Sequence, residues 1–348
     1  MKFGITLQPG GTRFECDEAT TLLRAGLDAG SRLPFSCRSG VCRTCRGKIV
    51  SGSADPGLVH PNYLSASDIA AGYVHLCQAR PLSDCVIEID ELDPAQSFPV
   101  LGLPARVLQL ERLAADVMRV QLGVPPNEPV RFNAGQYVEV LLADGVRRAY
   151  SIASAPHVDG LRQFDLHVRH MPGGLFTDRL FSTVKVRDML RIEAPLGQFH
   201  LRDDARRPAI LLASGTGFAP IKAMVEASLA AASHRPLHVY WGGRARQDLY
   251  LDALARQWAH DHAHIAYTPV LSAATPACDW QGRTGFVHEA VLEDHGDLGA
   301  FDVYACGAPA MVEAARRDFC ARRNLPEDRF FADSFVSQAD LAVAQTIS

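Results

Sequence analysis

The pattern of hydrophobic and polar positions changes twice along the chain, and these two changes divide the chain into three blocks. In the first block, Lys2–Gln8 and residues 12–16 alternate around a Pro-Gly-Gly turn, which predicts a β-hairpin. Apolar residues at helical spacing then predict a short helix over residues 19–29 that ends at Gly30. A further strand is predicted to begin at Cys85.

The second block follows a stretch with three prolines, residues 93–104, which predicts a linker at residues 93–103. From there to about residue 200, short alternating segments are separated by turns, a rhythm that predicts a small antiparallel β-barrel. The predicted strands include 105–110, 117–122, 137–142 and 164–169.

In the third block, short apolar strands alternate with helices, which predicts a parallel sheet with helices on both faces. The strands are predicted at 209–213, 237–241, 266–270 and 302–305, and the helices at 219–232, 249–260 and 309–323. The pattern therefore predicts a multidomain chain with domains at 1–92, 104–203 and 204–348, joined by the linker 93–103.

Composition narrows the class of protein. A chain of 348 residues with 47% hydrophobic and 21% charged residues suits two or three ordinary globular domains. A net charge of −4 gives no electrostatic footprint for nucleic acid. Apolar runs fall short of the roughly 18 residues of a membrane span, and the N-terminus lacks the apolar stretch of a signal peptide. We therefore expect a soluble, cytoplasmic protein with no membrane or nucleic-acid partner.

The nine cysteines carry the first chemistry. An odd number without an export signal argues against a disulfide framework. Cys37, Cys42 and Cys45 have the C-x4-C-x2-C spacing of plant-type [2Fe–2S] ligands, with Cys77 as the distant fourth. A zinc site or merely buried thiols are the alternatives, but zinc usually takes a second closely spaced pair, which is missing here. Gly40 is expected to let the loop backbone approach the cluster.

This block resembles the plant-type ferredoxin domain, through Leu-Pro-Phe-Ser-Cys at residues 33–37 and Leu-Cys-Gln at residues 76–78. The resemblance implies an α+β fold of the β-grasp type. Arg43 stands where many members of that family carry glycine. Cys16 and Cys85 are interpreted as core residues.

The middle block contains an Arg-x-Tyr-Ser motif, which resembles the flavin fingerprint of the ferredoxin–NADP reductase superfamily. The resemblance implies that Arg148 binds the FAD pyrophosphate, that Tyr150 stacks on the isoalloxazine ring and that Ser151 hydrogen-bonds flavin N5. Each role suits its side chain, since guanidinium groups bind phosphates and aromatic rings stack. A plain barrel strand is the alternative.

A glycine turn that opens a predicted helix gives a second pyrophosphate contact, because the first N–H groups of a helix are free to bind phosphate. Its residues are Gly174, Leu175, Phe176 and Thr177. Residues 193–199 resemble a glycine-rich turn of the same superfamily, with Ala194 in place of its first glycine. Arg187 likewise replaces a usual glycine.

In the third block, Gly215, Thr216 and Gly217 lie where a predicted strand runs into a helix, as a dinucleotide pyrophosphate requires. Pro220 replaces the third glycine of the ordinary fingerprint, and this form resembles the nicotinamide domain of the reductase superfamily. That resemblance places Cys306 and Gly307 beside the nicotinamide, and makes Cys306 and Ser151 the candidate catalytic residues of hydride transfer.

Shorter patterns indicate which nucleotide is the electron donor and which residue covers the second face of the flavin. Arg244 and Arg246 suit a 2′-phosphate, but Asp248 close by opposes it, so NADH is favoured over NADPH. The segment 330–335 resembles the one that covers the flavin face opposite Tyr150, which makes Phe335 or Ser334 the covering residue. Core packing is the alternative.

Together the three blocks resemble the one-chain reductases of multicomponent oxygenases, and most of all the CDP-6-deoxyhexose-pathway reductases. The resemblance implies electron transfer from NADH or NADPH through FAD to a [2Fe–2S] cluster and on to a partner oxygenase or dehydrase component. An NAD(P)H-dependent flavin or ferric reductase acting on small acceptors is the alternative, although it does not need the four cysteines. A non-enzymatic redox sensor is a third reading.

A run of cations without an acid surrounds the cysteine motif. This run predicts a basic rim that docks an acidic partner and weakens with salt. A scatter of solvated side chains is the alternative. The cations are Arg32, Arg38, Arg43, Arg46 and Lys48.

Overall fold

The computed structural model describes residues 1–93, 98–143, 145–202 and 207–335. Contacts group these residues into two compact units. The first comprises residues 1–93 with 333–335, and the second comprises Phe98–Ala332. The predicted barrel and α/β blocks both fall within the second unit, while the domain boundaries themselves stay predictions.

The first unit is a mixed five-stranded sheet in the order β2-β1-β7-β3-β5, with a small β4-β6 pair beside it. The predicted hairpin is present, since Ile5 pairs with Phe14. The first helix begins later than predicted, because the hydroxyl of Thr21 caps it by accepting the N–H of Arg24. The elements are β1 Lys2–Gln8, β2 Arg13–Asp17, α1 Leu22–Asp28, β3 Arg46–Ser51, β4 Ala54–Asp55, α2 Ala66–Ala70, β5 Tyr73–His75, β6 Arg80–Pro81 and β7 Cys85–Glu88.

The second unit begins with a six-stranded antiparallel sheet in the order β11-β10-β13-β8-β9-β12. An isolated bridge between Ile152 and Leu166 joins its two edges, which closes the predicted barrel. Its first strand begins at Leu101, inside the predicted linker, because Leu101 pairs with Ala194. The elements are β8 Leu101–Ala114, β9 Val117–Gly123, β10 Tyr137–Leu141, β11 Arg147–Ser151, β12 Gln163–Arg169, α3 Thr177–Ser182 and β13 Met189–Leu196.

The α/β block forms a sheet in the order β17-β16-β15-β14-β18-β19, with parallel pairing from β17 through β18. Alternate residues of its central strands face opposite helix layers. Leu212 and Val303 pack with α6 and α7, whereas Trp241 stacks on Phe218 of α4. The elements are β14 Ala209–Ser214, α4 Phe218–Ala230, β15 Leu237–Gly243, α5 Asp252–Asp261, β16 Ile265–Leu271, β17 Arg283–Thr284, α6 Val287–Asp294, β18 Asp302–Gly307, α7 Pro309–Arg323 and β19 Phe330–Ser334.

Pairing register places the chemistry of this unit at one sheet edge. Ser214 pairs with Gly242, and Ala213 pairs with Cys306. The carboxyl ends of β14, β15 and β18 therefore meet, as in other open parallel sheets that bind ligands at this edge.

Candidate functional site

The loop between α1 and β3 wraps its backbone around sulfur atoms. The N–H groups of Ser39 and Cys42 lie 3.5 and 3.3 Å from Sγ of Cys37, and the N–H of Cys37 lies 3.4 Å from Sγ of Cys42. Gly40 adopts a φ of 81°, which only glycine adopts without strain. Main-chain donors aimed at sulfur stabilise thiolate ligands and tune a bound cluster.

The four motif cysteines form two pairs. A hydrogen bond from the Cys42 thiol lowers the pKa of Cys37 to about 6. A hydrogen bond with Cys77 and burial raise the pKa of the Cys45 thiol well above its usual range. Within the described ranges, no group of three His, Cys, Asp or Glu side chains is placed so that it could hold a single metal ion. Two thiol pairs fit a cluster in which each of two irons takes two thiolates.

Arg43 keeps the backbone conformation that glycine would give at its position. Its φ is 64°, in the left-handed region, and its guanidinium donates to the carbonyl of Asn62 at 2.7 Å. Arg187, the other arginine at a usual glycine position, has a φ of 81°. Both replacements therefore preserve the turn and cost backbone strain, on the order of 1 kcal/mol each.

Two side chains near Cys77 hold the cysteine loop in place: His75, which the motif analysis missed, and Gln78, which it named only as part of the Leu-Cys-Gln motif. The Nδ1 atom of the fully buried His75 is hydrogen-bonded to the carbonyl oxygen of Gly40 at 2.8 Å, and burial lowers the pKa of His75 to about 4. The side-chain amide of Gln78 donates to the carbonyl of Arg38 at 3.1 Å. Both residues lie within two positions of Cys77. Their closeness in sequence to a predicted cluster ligand is the signal that could have indicated them.

Ser36, next to the first ligand, donates to the buried carboxyl of Asp333 at 2.8 Å. Burial raises the pKa of Asp333 to about 7. The two residues are almost 300 positions apart, so no local pattern could have indicated this contact.

The flavin motif lies on β11. The ring of Tyr150 packs 5.3 Å from that of Phe176, between centroids, at a tilt of 46°. Oγ of Ser151 is buried, and in the described part of the chain it has no hydrogen-bond partner. Because a buried hydroxyl without a partner is costly and uncommon, this atom points to a ligand group. The residues present therefore fit a flavin.

The glycine turn before α3 leaves donors for phosphate. Thr177 turns its hydroxyl back to the carbonyl of Met171 at 2.9 Å. Among the residues that the structure describes, no acceptor binds the N–H groups of Leu175, Phe176 and Thr177. Unpaired N–H groups at the start of a helix suit an anion.

The nucleotide turn is packed so tightly that its glycines are required. A Cβ on Gly217 would lie 2.2 Å from the carbonyl oxygen of Cys306, and one on Gly307 would lie 2.3 Å from Oγ of Ser214. The indole of Trp241 donates to the carbonyl of Gly215 at 3.0 Å. The structure thus brings Gly217 and the fully buried Cys306 together. Pro220 lies in the first turn of α4, which begins at Phe218.

Asp248 fixes the turn after β15. Its carboxylate accepts the N–H groups of Arg244 at 2.8 Å and Ala245 at 3.0 Å. Its other oxygen lies 3.5 Å from the guanidinium of Arg169 on β12. The side chain of Arg244 is 79% exposed. The sequence predicts that Asp248 opposes a 2′-phosphate, and in the structure its carboxylate is bound to the main chain of this turn.

The predicted covering residues lie at the end of the described chain. Ser334 is buried in β19, and Phe335 follows it half-buried. Their relation to the flavin stays a prediction.

Fold and site together define an oxidoreductase that combines iron–sulfur, flavin and nicotinamide nucleotide chemistry in one chain. The 2Fe-2S iron-sulfur cluster binding domain model matches residues 5–82. The oxidoreductase FAD-binding domain model matches 104–201, and the oxidoreductase NAD-binding domain model matches 211–317.

Relatives match nearly the whole chain. The CDP-6-deoxy-L-threo-D-glycero-4-hexulose-3-dehydrase reductase of Yersinia pestis is 38% identical over 336 residues, 97% of this chain and 99% of its own. The aromatic O-demethylase reductase subunit of Amycolatopsis is 37% identical over 331 residues, 94% and 96% of the two chains. The crystal structure of an Amycolatopsis cytochrome P450 reductase matches with a TM-score of 0.77 and 36% identity, over 96% of this chain and 99% of its own.

The chain belongs to the family of NAD(P)H-dependent ferredoxin reductases that includes the reductase components of multicomponent oxygenases. It is an oxidoreductase whose three cofactors are a [2Fe–2S] cluster, FAD and a nicotinamide nucleotide. No described helix combines the length and the apolar character that a membrane span requires.

Proposed function

We propose that this chain takes electrons from NADH and delivers them to a separate redox protein, an oxygenase or dehydrase component. When bound, FAD accepts a hydride, and the cluster passes electrons on one at a time. Relatives named as reductases of a dehydrase and of an O-demethylase match over nearly their whole length, which supports an acceptor of this kind. The observation that carries the proposal is the pairing of the four motif thiols, in a chain whose second unit supplies the flavin and nucleotide residues.

In this proposal, one iron is held by Cys37 and Cys42 and the other by Cys45 and Cys77. The support is the hydrogen bonding within each thiol pair. Main-chain donors of the loop stabilise the sulfur charge, and the loop conformation follows from Gly40.

The flavin residues divide their work by chemistry. Arg148 and the N–H groups of Leu175, Phe176 and Thr177 bind the pyrophosphate, since both offer donors to an anion. The N–H of Gly174 donates to the carbonyl of Met171 at 2.8 Å, so Gly174 shapes this turn and its N–H is not a phosphate donor. Tyr150 supports the isoalloxazine ring on one face. Ser151 donates its hydroxyl hydrogen to N5 of the flavin, the atom that receives the hydride.

The nucleotide binds along the edge formed by β14, β15 and β18. Gly215, Thr216 and Gly217 bind its pyrophosphate with Pro220 behind them, and Cys306 and Gly307 border the nicotinamide. Arg244 contacts the adenosine end.

NADH is the proposed donor. The N–H groups of Arg244 and Ala245 are already bound to the Asp248 carboxylate, so a 2′-phosphate would meet a negative charge in place of free donors. The exposed guanidinium of Arg244 offers a partial attraction, which leaves NADPH as the weaker donor.

The basic rim near the cysteine motif is the proposed docking surface for an acidic acceptor. Arg46 contributes less to it than its sequence predicts, because α2 brings Asp68 into an ion pair with it. Its guanidinium also lies 3.8 Å from the ring centroid of Tyr73. Arg32 is exposed and hydrogen-bonded through Nε to the carbonyl of Leu92. The proposed rim comprises Arg32, Arg38, Arg43, Arg46 and Lys48, and the Asp68 carboxylate offsets the charge of Arg46.

Replacement of one cluster ligand distinguishes this proposed function from that of a flavin or ferric reductase. We expect Cys77→Ser to keep its FAD and to reduce ferricyanide at the wild-type rate with NADH. Reduction of cytochrome c, a protein acceptor, should fall at least about tenfold because the one-electron outlet is lost. The matched control is Cys278→Ser, which lies outside the motif, and it should behave as wild type. An unchanged rate with cytochrome c in Cys77→Ser would favour the small-acceptor reductase.

A further inference from the structure

The helix α4 carries a lysine that reaches the end of the flavin strand. Lys222 lies in the second turn of α4, which begins directly after the Gly215–Gly217 turn. Its Nζ donates to the carbonyl oxygen of Ala153 at 3.0 Å. Ala153 lies two residues after Ser151. The side chain of Lys222 thus links α4, which begins at the nucleotide turn, to the backbone segment that includes Ser151.

The segment that receives this hydrogen bond is itself held firmly. The N–H of Ile152 donates to the carbonyl of Gln136 at 2.9 Å, and the N–H of Ala153 donates to the carbonyl of Asp165 at 2.8 Å. The side-chain amide of Gln136 in turn donates to the carbonyl of Gly197 at 2.8 Å. Lys222 is therefore anchored to a part of the barrel that cannot shift without breaking several hydrogen bonds.

Helix stability explains this lysine poorly. Its second partner is Glu226, with Nζ and Oε2 2.7 Å apart. A lysine four residues before a glutamate is the less favourable order for an ion pair on a helix. The side chain is only 15% exposed, so its ammonium group needs partners to offset lost hydration. The carbonyl of Ala153 accepts a hydrogen bond from the ammonium group and so fixes where this buried charge lies.

Apolar and neutral contacts between α4, its neighbours and the barrel do not depend on this charge. A Cβ on Gly135 would lie 2.5 Å from Cε of Met224, which shows how closely α4 packs on the barrel. Tyr250 and the buried His167 are hydrogen-bonded at 3.1 Å. Replacement of Lys222 by methionine, which keeps an unbranched apolar chain, should therefore leave the fold in place.

We propose that Lys222 is a positioning residue for hydride transfer, which sets the separation between the nucleotide turn and the hydroxyl of Ser151. This inference rests on the proposed function, because it takes those two groups as the binding sites of nicotinamide and flavin. Hydride transfer requires the reacting atoms to be held close and aligned, and a displacement of about 1 Å can cost roughly a hundredfold in rate.

Anaerobic stopped-flow reduction of the full-length, FAD-loaded protein by NADH tests this role. In Lys222→Met, the limiting rate at saturating NADH should fall at least about tenfold. FAD content and the NADH dissociation constant should stay close to wild type. NADH deuterated at the transferred position should show a primary isotope effect at least as large as in wild type, because hydride transfer is the step that slows. Lys222→Arg, which keeps a cation and its donors, should recover most of the rate.

The control is Lys185→Met, which removes an exposed lysine of the same unit and should leave every quantity unchanged. A wild-type limiting rate in Lys222→Met would overturn the inference. So would a loss of rate that matches a loss of FAD and that arginine does not restore, since this indicates a purely structural lysine. Failure of NADH to reduce the wild-type flavin would instead contradict the proposed function itself.

Discussion

At the scale of single residues, the unpartnered hydroxyl of Ser151 gives the flavin site its clearest physical signature. Its removal in Ser151→Ala takes away a buried polar atom without leaving any partner unsatisfied. We therefore expect the FAD-free protein to be at least as stable as wild type. Reduction of bound FAD by NADH should slow by about tenfold, the value of one lost hydrogen bond to the reacting ring.

Thermal unfolding of the FAD-free protein and stopped-flow reduction of the loaded protein measure the two effects separately. Ser154→Ala is the matched control, because that hydroxyl accepts the N–H of Asp165 at 2.9 Å. The control should lose stability and keep its hydride-transfer rate. A clear loss of stability in FAD-free Ser151→Ala would show that the hydroxyl has a protein partner after all.

Motif spacing predicted the residues whose chemistry is local, such as the four cysteines and the Arg-x-Tyr-Ser triplet. It missed Lys222 and His75, whose importance comes from what they contact, and it named Asp248 without indicating that its carboxylate binds the main chain. Lys222 donates to Ala153, which lies almost 70 residues earlier in the chain. A motif of a few residues cannot indicate a contact across that sequence separation. Sequence proximity also misled in one case, since the run around the cysteines lacks an acid but the fold supplies Asp68.

At the scale of elements, the turn before β13 offers a test of backbone strain. Arg187 has a φ of 81° and an exposed side chain, and its N–H donates to the carbonyl of Val107. Arg187→Gly should keep this hydrogen bond and raise the free energy of unfolding by between about 0.5 and 1 kcal/mol, because glycine adopts this conformation without strain but loses more chain entropy.

Thermal release of FAD, followed by its fluorescence, reports the stability of the unit that contains this turn. Arg43→Gly provides a comparison, since it relieves the same strain but loses the hydrogen bond to Asn62. Its gain, measured by loss of cluster absorbance on heating, should be smaller. A destabilised Arg187→Gly would mean that the arginine side chain holds the turn.

Element bounds followed from periodicity except where a specific contact moved them. The helix predicted from residue 19 begins at Leu22 because Thr21 caps it. The strand predicted from residue 105 begins at Leu101 because β13 offers it partners as far as Ala194. The helix predicted over residues 309–323 has those bounds in the structure, with a proline at its start and Asn324 in the left-handed conformation at its end.

At the scale of the whole molecule, the proposed basic rim predicts how the chain selects its acceptors. Cytochrome c is a basic protein, so a basic docking surface repels it. Arg43→Glu should therefore speed cytochrome c reduction several-fold at low ionic strength, and added salt should shrink the difference. Ferricyanide reduction, measured in the same preparations, reports on the flavin reaction alone.

Arg13→Glu changes the charge equally at an exposed position on β2 and serves as the control. Equal cytochrome c rates for Arg43→Glu, Arg13→Glu and wild type would mean that the cations near the cysteines are only solvated side chains.

The order of the three blocks was readable because each has its own periodicity and its own motif. The grouping of the described chain into two units was not, since it depends on contacts such as that between Ala153 and Lys222 across the barrel and α/β blocks. The identity of the acceptor is likewise a property of a surface rather than of any motif.

The most direct test of the account is an anaerobic titration of the purified protein with NADH and, separately, with NADPH. Visible absorbance follows the flavin, and low-temperature EPR follows the cluster. We predict that NADH bleaches the flavin and produces the rhombic signal of a reduced [2Fe–2S] centre, and that NADPH does so more slowly. A bleached flavin without that signal, in protein shown to contain iron, would contradict the proposed path from flavin to cluster.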